Sequence, residues 1–248
     1  MVEFKFHSAM QTKLFTIPNL LTLANLLCGA SAVLSALYYG NLTASFWLVV
    51  LAAVFDFLDG FVARLLGIGG PLGVELDSLA DDITFGLAPA AVLFALYGRS
   101  EGWWLSDVDW CGGAVFLYAA FAALRLAKFN VDDTQHTEFC GLPSPAAALF
   151  AVSLGLLAER GGVAAPRELI LLTALVLGAL MVSPVRMFAL KFHGFGWRGN
   201  EIRYSFLLAS LVLIVVLRLW AVPAIVALYV LMSLGRGIVC RRSGTSKL

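Results

Sequence analysis

Long apolar stretches, each near the length needed to cross a bilayer, dominate this chain and leave little freedom in fold class. About eight can be read, at roughly 17–39, 43–66, 75–98, 112–130, 143–159, 167–187, 204–220 and 222–239. A spanning helix needs about 20 mostly apolar residues, and a helix satisfies its own backbone groups in lipid where an open sheet cannot. The breaks carry turn chemistry: Gly69-Gly70-Pro71, Asp107 to Asp109, Gly161-Gly162, and Pro223 after Trp220. The expected fold is therefore an all-α, polytopic membrane helix bundle of about eight transmembrane helices, or six to eight if the weaker breaks fail. Arg218 and Pro223 are the reason to divide the last apolar run in two. A composition of 60% hydrophobic and 13% charged residues agrees with a membrane protein.

A net charge of +1 gives no case for nucleic-acid binding. Cys28, Cys111, Cys140 and Cys240 form no CxxC pair, so neither a disulfide framework nor a zinc site is expected. His7, His136 and His193 have no metal-ligand spacing. Residues 1–16 show no cleavable signal. Phe4, Phe6, Met10, Leu14 and Phe15 there alternate with Lys5, His7 and Lys13, which reads as an interfacial helix or as a frayed tail. Orientation follows the cations. With the N-terminus inside, one side holds Lys5, Lys13, Arg64, Arg125, Lys128, Arg186, Lys191, Arg198, Arg203, Arg236, Arg241, Arg242 and Lys247. The other holds only Arg99, Arg160, Arg167 and Arg218. Both termini are thus expected in the cytoplasm, with the 64–75 turn facing it. Trp103, Trp104, Trp110, Trp197 and Trp220 fall near the expected membrane edges, as an aromatic belt would.

Against this apolar background, Asp56 to Asp82 holds five aspartates, Glu75 and Arg64. Asp56 and Asp59 are three apart and share a helix face. Asp77 and Asp81, four apart, share a face of the next helix. Two antiparallel helices would offer two carboxylates each to one space. A charged residue costs about 2.5–3.5 kcal/mol at the centre of a spanning helix, so four together call for compensation. Bound cations supply it, and oxygen-only ligands suit Mg²⁺ or Mn²⁺. Solvated helix-end charges would explain neither the paired spacing nor Gly60 and Gly73. A transporter's proton path would spread acids over several helices, and the other spans are nearly free of them. The Gly67 to Gly70 run does not open a helix after a strand and reads as a turn rather than a phosphate loop.

The stretch resembles the signature of the CDP-alcohol phosphotransferase family, D-x2-D-G-x2-A-R-x8-G-x3-D-x3-D. Asp56, Asp59, Gly60, Ala63, Arg64, Gly73, Asp77 and Asp81 meet every spacing. "IPNLLTLANLLCG" (Ile17 to Gly29), "ELDSLADDITFGLAPA" (Glu75 to Ala90), "LRLAKFNV" (Leu124 to Val131) and "FCGLPSPAAA" (Phe139 to Ala148) look like the phosphatidylserine synthase branch of that family. "MVSPVRMFALK" (Met181 to Lys191) does so more loosely. The likeness spans roughly 15–192, which divides the chain into a segment at 1–16, a core at 17–192, and further helices with a basic tail at 193–248.

The resemblance implies an enzyme that moves a phosphatidyl group from CDP-diacylglycerol to serine and releases CMP. It implies two divalent cations, Mg²⁺ or Mn²⁺, on Asp56, Asp59, Asp77 and Asp81, with Asp81 also the general base. Asn19, Thr22, Gly60, Ala63, Arg64 and Gly73 would bind the CDP-lipid, and a homodimer is the family's usual state. Some members carry a hydroxyl residue six positions after the signature arginine. Gly70 stands there, so a backbone contact would have to serve. Arg125, Lys128 and Asn130 are candidates for the acceptor's carboxylate, although Arg125 and Lys128 also suit snorkelling to the membrane edge. Arg186 and Lys191 read as topology determinants. Asp82 lies outside the signature and either supports the metal ligands or faces the interface; Glu75 is read as solvated. The same chemistry on inositol phosphate or glycerol phosphate remains an alternative, and a transporter a weaker one.

Overall fold

The computed structural model describes residues 14–104, 109–131, 139–187 and 200–242. The expectations for residues 1–13, the three histidines, Lys191 and Trp197 lie outside these, as do the side chains of Trp110 and Arg186. The described helices are α1 (Ile17–Leu37), α2 (Leu42–Leu66), α3 (Pro71–Asp81), α4 (Ala88–Arg99), α5 (Asp109–Gly112), α6 (Leu117–Val131), α7 (Ser144–Gly161), α8 (Arg167–Val182), α9 (Glu201–Leu217) and α10 (Ala221–Arg242). A π-helical segment, Asp82–Leu87, joins α3 to α4 as one long rod. Two two-residue strands, β1 (Phe139–Cys140) and β2 (Arg186–Met187), pair antiparallel.

The bundle is helical as expected; the count of about eight spans is not confirmed. Among the described residues, five stretches are long and apolar enough to cross a membrane: Ile17–Leu37, Leu42–Leu66, Pro71–Arg99, Gly113–Val131 and Glu201–Gly235. Helix α8 has only 16 residues, and α7, with 18, ends in Glu159, Arg160 and Gly161 and is rich in Ala and Ser. Glu201–Gly235 is one apolar stretch but two helices. Arg218 takes a positive φ of 48° at its break, and the rings of Phe206 and Tyr229 lie 5.9 Å apart. One straight helix would separate them by about 34 Å at 1.5 Å per residue, so α10 folds back along α9. Helix α3 also starts earlier than expected, at Pro71, where a missing N–H costs nothing.

Small residues let the helices approach closely, as membrane bundles require. At Gly29 on α1, a Cβ would lie 2.3 Å from Thr84 Oγ1 and 2.8 Å from Thr84 Cα. Any larger residue would push α1 off the π segment. The Thr84 hydroxyl donates to the Asn25 carbonyl at 3.2 Å across the same contact. Pro89 has no N–H to offer the Phe85 carbonyl, and the Tyr118 hydroxyl from α6 donates there at 3.2 Å.

At the bundle end away from the aspartates, polar side chains tie four segments together. Glu159 accepts from the Leu42 and Thr43 amides at 2.8 and 2.7 Å, capping the start of α2. Arg99 pairs with Glu159 at 3.3 Å and also donates to the Gly40 carbonyl. Arg167 donates to the Ser100 carbonyl at 2.7 Å. At the other end, the start of α7 is stitched to the end of α8: Gly141 N–H donates to Val185 at 2.8 Å, and Leu142 N–H to Leu180 at 2.9 Å.

Gly141 has φ of +82°, and a Cβ there would meet the Met181 carbonyl oxygen at 2.1 Å. Gly67, the C-cap of α2, also has positive φ, but open space surrounds it. In detergent-solubilised protein, Gly67→Ala should lower thermal stability by about 1 kcal/mol, the cost of the left-handed conformation alone. Gly141→Ala should add the collision, roughly another 1–3 kcal/mol. Equal unfolding temperatures for the two variants would contradict the stitched α7–α8 junction.

Candidate active site

Asp56 and Asp59 sit in the C-terminal half of α2, and Asp77 and Asp81 on α3, across the Gly67 to Gly70 turn. One oxygen from each of Asp56, Asp59 and Asp77 lies within 4.8 Å of the others. Asp81 stands outside that trio but within Coulombic range of all three. The four expected ligands are thus brought together, three tightly and one beside them.

Helix α1 supplies the polar partners. Its buried stripe Asn19, Thr22 and Asn25 is spaced by three and faces the carboxylates. The Thr22 hydroxyl donates to Asp59 Oδ2 at 2.6 Å, and Asn25 Nδ2 donates to Asp81 Oδ1 at 3.2 Å. Asn19 Nδ2 is held by the Leu14 carbonyl at 2.9 Å. Asp77 Oδ1 is buried with no hydrogen-bond partner among the described residues. A buried, unpaired carboxylate oxygen facing other carboxylates fits a cation, since charge of one sign cannot stay together uncompensated.

A cavity of about 310 Å³ opens beside the cluster. Asn19, Thr22, Gly60, Ala63 and Gly73 line it, together with Asp59, Asp77 and the turn from Ile68 to Pro71. Five of the six residues expected to bind the CDP-lipid therefore share one hollow. Gly70 also lines it, where the family pattern offers a hydroxyl. The sixth, Arg64, is exposed on the last turn of α2 and stands outside the lining. Its guanidinium nitrogens lie 3.8 and 3.9 Å from where a Cβ on Gly60 would sit.

The acceptor candidates part company. Arg125 turns inward: its Nη1 donates to the buried Ser144 hydroxyl at 2.6 Å, and its Nε is buried without a partner among the described residues. It lies within Coulombic range of Asp81, Tyr118 and Tyr229. Lys128 is exposed and borders, with Arg125, a cavity of only about 10 Å³, the size of one water. Asn130 is exposed and donates to Ser78 on α3 at 2.8 Å. Glu75 is exposed, as expected; Asp82 is part-buried on the π segment, with Oδ1 unpartnered.

Sequence reasoning missed Asn25, Ser144 and Tyr229. Asn25 had a signal: it continues the Asn19–Thr22 face by three residues. Ser144 and Tyr229 had none, because packing across long sequence separations brings them to Arg125.

Known relatives match much of the chain. The chain is 36% identical over 180 residues to a CDP-diacylglycerol--serine O-phosphatidyltransferase of Helicobacter pylori, covering 70% of this chain and 72% of that one. Proteins of the same name from Methanocaldococcus jannaschii and Bacillus subtilis are 33% and 34% identical. The first match covers 70% of this chain and 74% of the relative, the second 56% and 74%. Residues 15–185 match the family described as CDP-alcohol phosphatidyltransferase. With well over half its length inside that match, and three aspartates of the signature converging beside a cavity that two of them line, the chain belongs to the CDP-alcohol phosphatidyltransferase family.

Proposed function

We propose that the chain is an integral membrane phospholipid synthase that transfers a phosphatidyl group from CDP-diacylglycerol to the hydroxyl of L-serine, giving phosphatidylserine and CMP. The observation that carries this reading is the convergence of Asp56, Asp59 and Asp77 within 4.8 Å, at the rim of the 310 Å³ cavity. The names of the relatives support serine as the acceptor. We take the site to face the cytoplasm from the cell membrane, with both termini on that side, and the working unit to be a homodimer.

Asp56, Asp59, Asp77 and Asp81 would hold two divalent cations, Mg²⁺ or Mn²⁺, since carboxylate oxygens are hard donors that suit such ions. Cations held there would supply positive charge against the diphosphate of the CDP-lipid. The remaining roles fall to this chain's own atoms. Thr22 fixes the orientation of Asp59, and Asn25 that of Asp81. Asn19, Gly60, Ala63, Gly70 and Gly73 shape the cavity for the nucleotide half. Arg64 adds positive charge near its mouth. The serine hydroxyl attacks the phosphorus bearing the diacylglycerol, Asp81 takes its proton, and the bond to CMP breaks. Arg125, near Asp81 and holding an unused buried N–H, receives the serine carboxylate.

Asp81→Asn should lower CMP release about 10²–10⁴-fold, the usual contribution of a general base, while the variant still binds CDP-diacylglycerol. Full activity in that variant would remove Asp81 from the role. Chelation should abolish CMP release, and Mg²⁺ or Mn²⁺ should restore it. Without any substrate, the same ions should raise the thermal unfolding temperature, because they bind only the folded cluster. An unfolding temperature indifferent to the ions would count against the metal assignment. In a panel of alcohols offered with CDP-diacylglycerol, serine should react best. Reaction of glycerol phosphate or inositol phosphate in its place would move the chain to another acceptor.

A further inference from the structure

Helix α6 runs antiparallel to the α3–π rod, and its inward face can be read in register. Tyr118 meets Phe85 through the 3.2 Å hydrogen bond. Ala122 meets Gly86: a Cβ on Gly86 would touch Ala122 Cβ at 3.3 Å and Asp82 Oδ1 at 2.9 Å. Asn130 meets Ser78 at 2.8 Å. Arg125, three residues beyond Ala122 on the same face, therefore stands level with the Asp81–Asp82 turn.

Two buried atoms border this seam and have no hydrogen-bond partner among the described residues: Asp82 Oδ1 and Arg125 Nε. One is an acceptor and the other a donor, on groups of opposite charge. Leaving either bare costs stability, so together they mark a place built for a guest. A guest that satisfies both carries an anionic and a cationic end. Consecutive helical residues face about 100° apart, so Asp81 meets Asn25 on α1 while Asp82 lies against Gly86 beside α6.

We propose that Asp82 binds the ammonium group of an amino-acid acceptor whose carboxylate is held by Arg125, so that the seam between the π segment and α6 selects a zwitterion. This rests on the serine reading above and names what enforces it. A phosphorylated alcohol would set its phosphate beside the Asp82 carboxylate and be repelled, whereas serine brings a charge of the matching sign to each side chain.

Acceptor analogues on the unaltered protein give the first test, scored by CMP release from CDP-diacylglycerol. 3-Hydroxypropionate, which lacks the ammonium, should react with kcat/KM roughly ten- to a hundredfold below serine, the worth of one hydrogen bond to a charged group. Equal rates for the two would overturn the proposal without touching the serine assignment. Failure of serine itself would sink the parent reading instead. The second test is Asp82→Asn. Its KM for serine should rise by a similar factor, with kcat and the KM for CDP-diacylglycerol within about threefold of the parent. The preference for serine over 3-hydroxypropionate should shrink with it. CMP release in the absence of serine, where water is the acceptor, should persist. A loss of that serine-independent release from a folded variant would place Asp82 with the phosphate chemistry and overturn the ammonium role.

Discussion

Negative charge held at the end of an apolar bundle is the constraint on which the site depends. Asp56, Asp59 and Asp77 bring oxygens within 4.8 Å of one another, and Asp81 stands beside them. Such a group persists only if other parts of the fold serve it. Helix α1 does so with a polar stripe that donates to Asp59 and Asp81. The stripe can reach them because Gly29 lets α1 touch the π segment backbone to backbone. Asp77 keeps an unpaired oxygen, and the cluster's donor set suits a hard cation. Close packing by small residues and the chemistry of the site are thus one requirement met twice.

The cluster was legible because aspartates spaced by three and by four keep to helical faces, and because the Gly-Pro turn between them is explicit in the chain. Five of the six residues expected to bind a CDP-lipid line one hollow, Gly60, Ala63 and Gly73 from the signature and Asn19 and Thr22 from α1. Arg64 departs because it sits on the last, exposed turn of α2, beyond the hollow. The acceptor group was legible only in part. Arg125, Lys128 and Asn130 cluster in sequence, yet the helix turns the first inward and leaves the other two exposed. Ser144 and Tyr229 could not be foreseen, since tertiary packing alone brings them near Arg125.

The count of about eight spans is not confirmed by length and composition, which pick out five stretches among the described residues. Helix α7 buries Ala147, Ala148, Ala151 and Ser153, small residues that serve contact with other helices. Such a helix reads as weakly apolar although it is central. The π segment left no mark in the spacing rules, which assume a uniform 3.6-residue turn. Its nearby Pro89, whose missing N–H accompanies the Tyr118 hydrogen bond, was the available hint.

The tie of Glu159, Arg99 and Gly40 acts at the end of the bundle away from the aspartates. It works like the spine of a book. The start of α2 is bound to α4 and α7 there, while its other end runs out at the Gly67 cap into a turn exposed throughout. Leaves bound along one edge separate at the other. On the proposed reading, room for a bulky lipid nucleotide lies where the aspartates are, at the margin this tie leaves unbound.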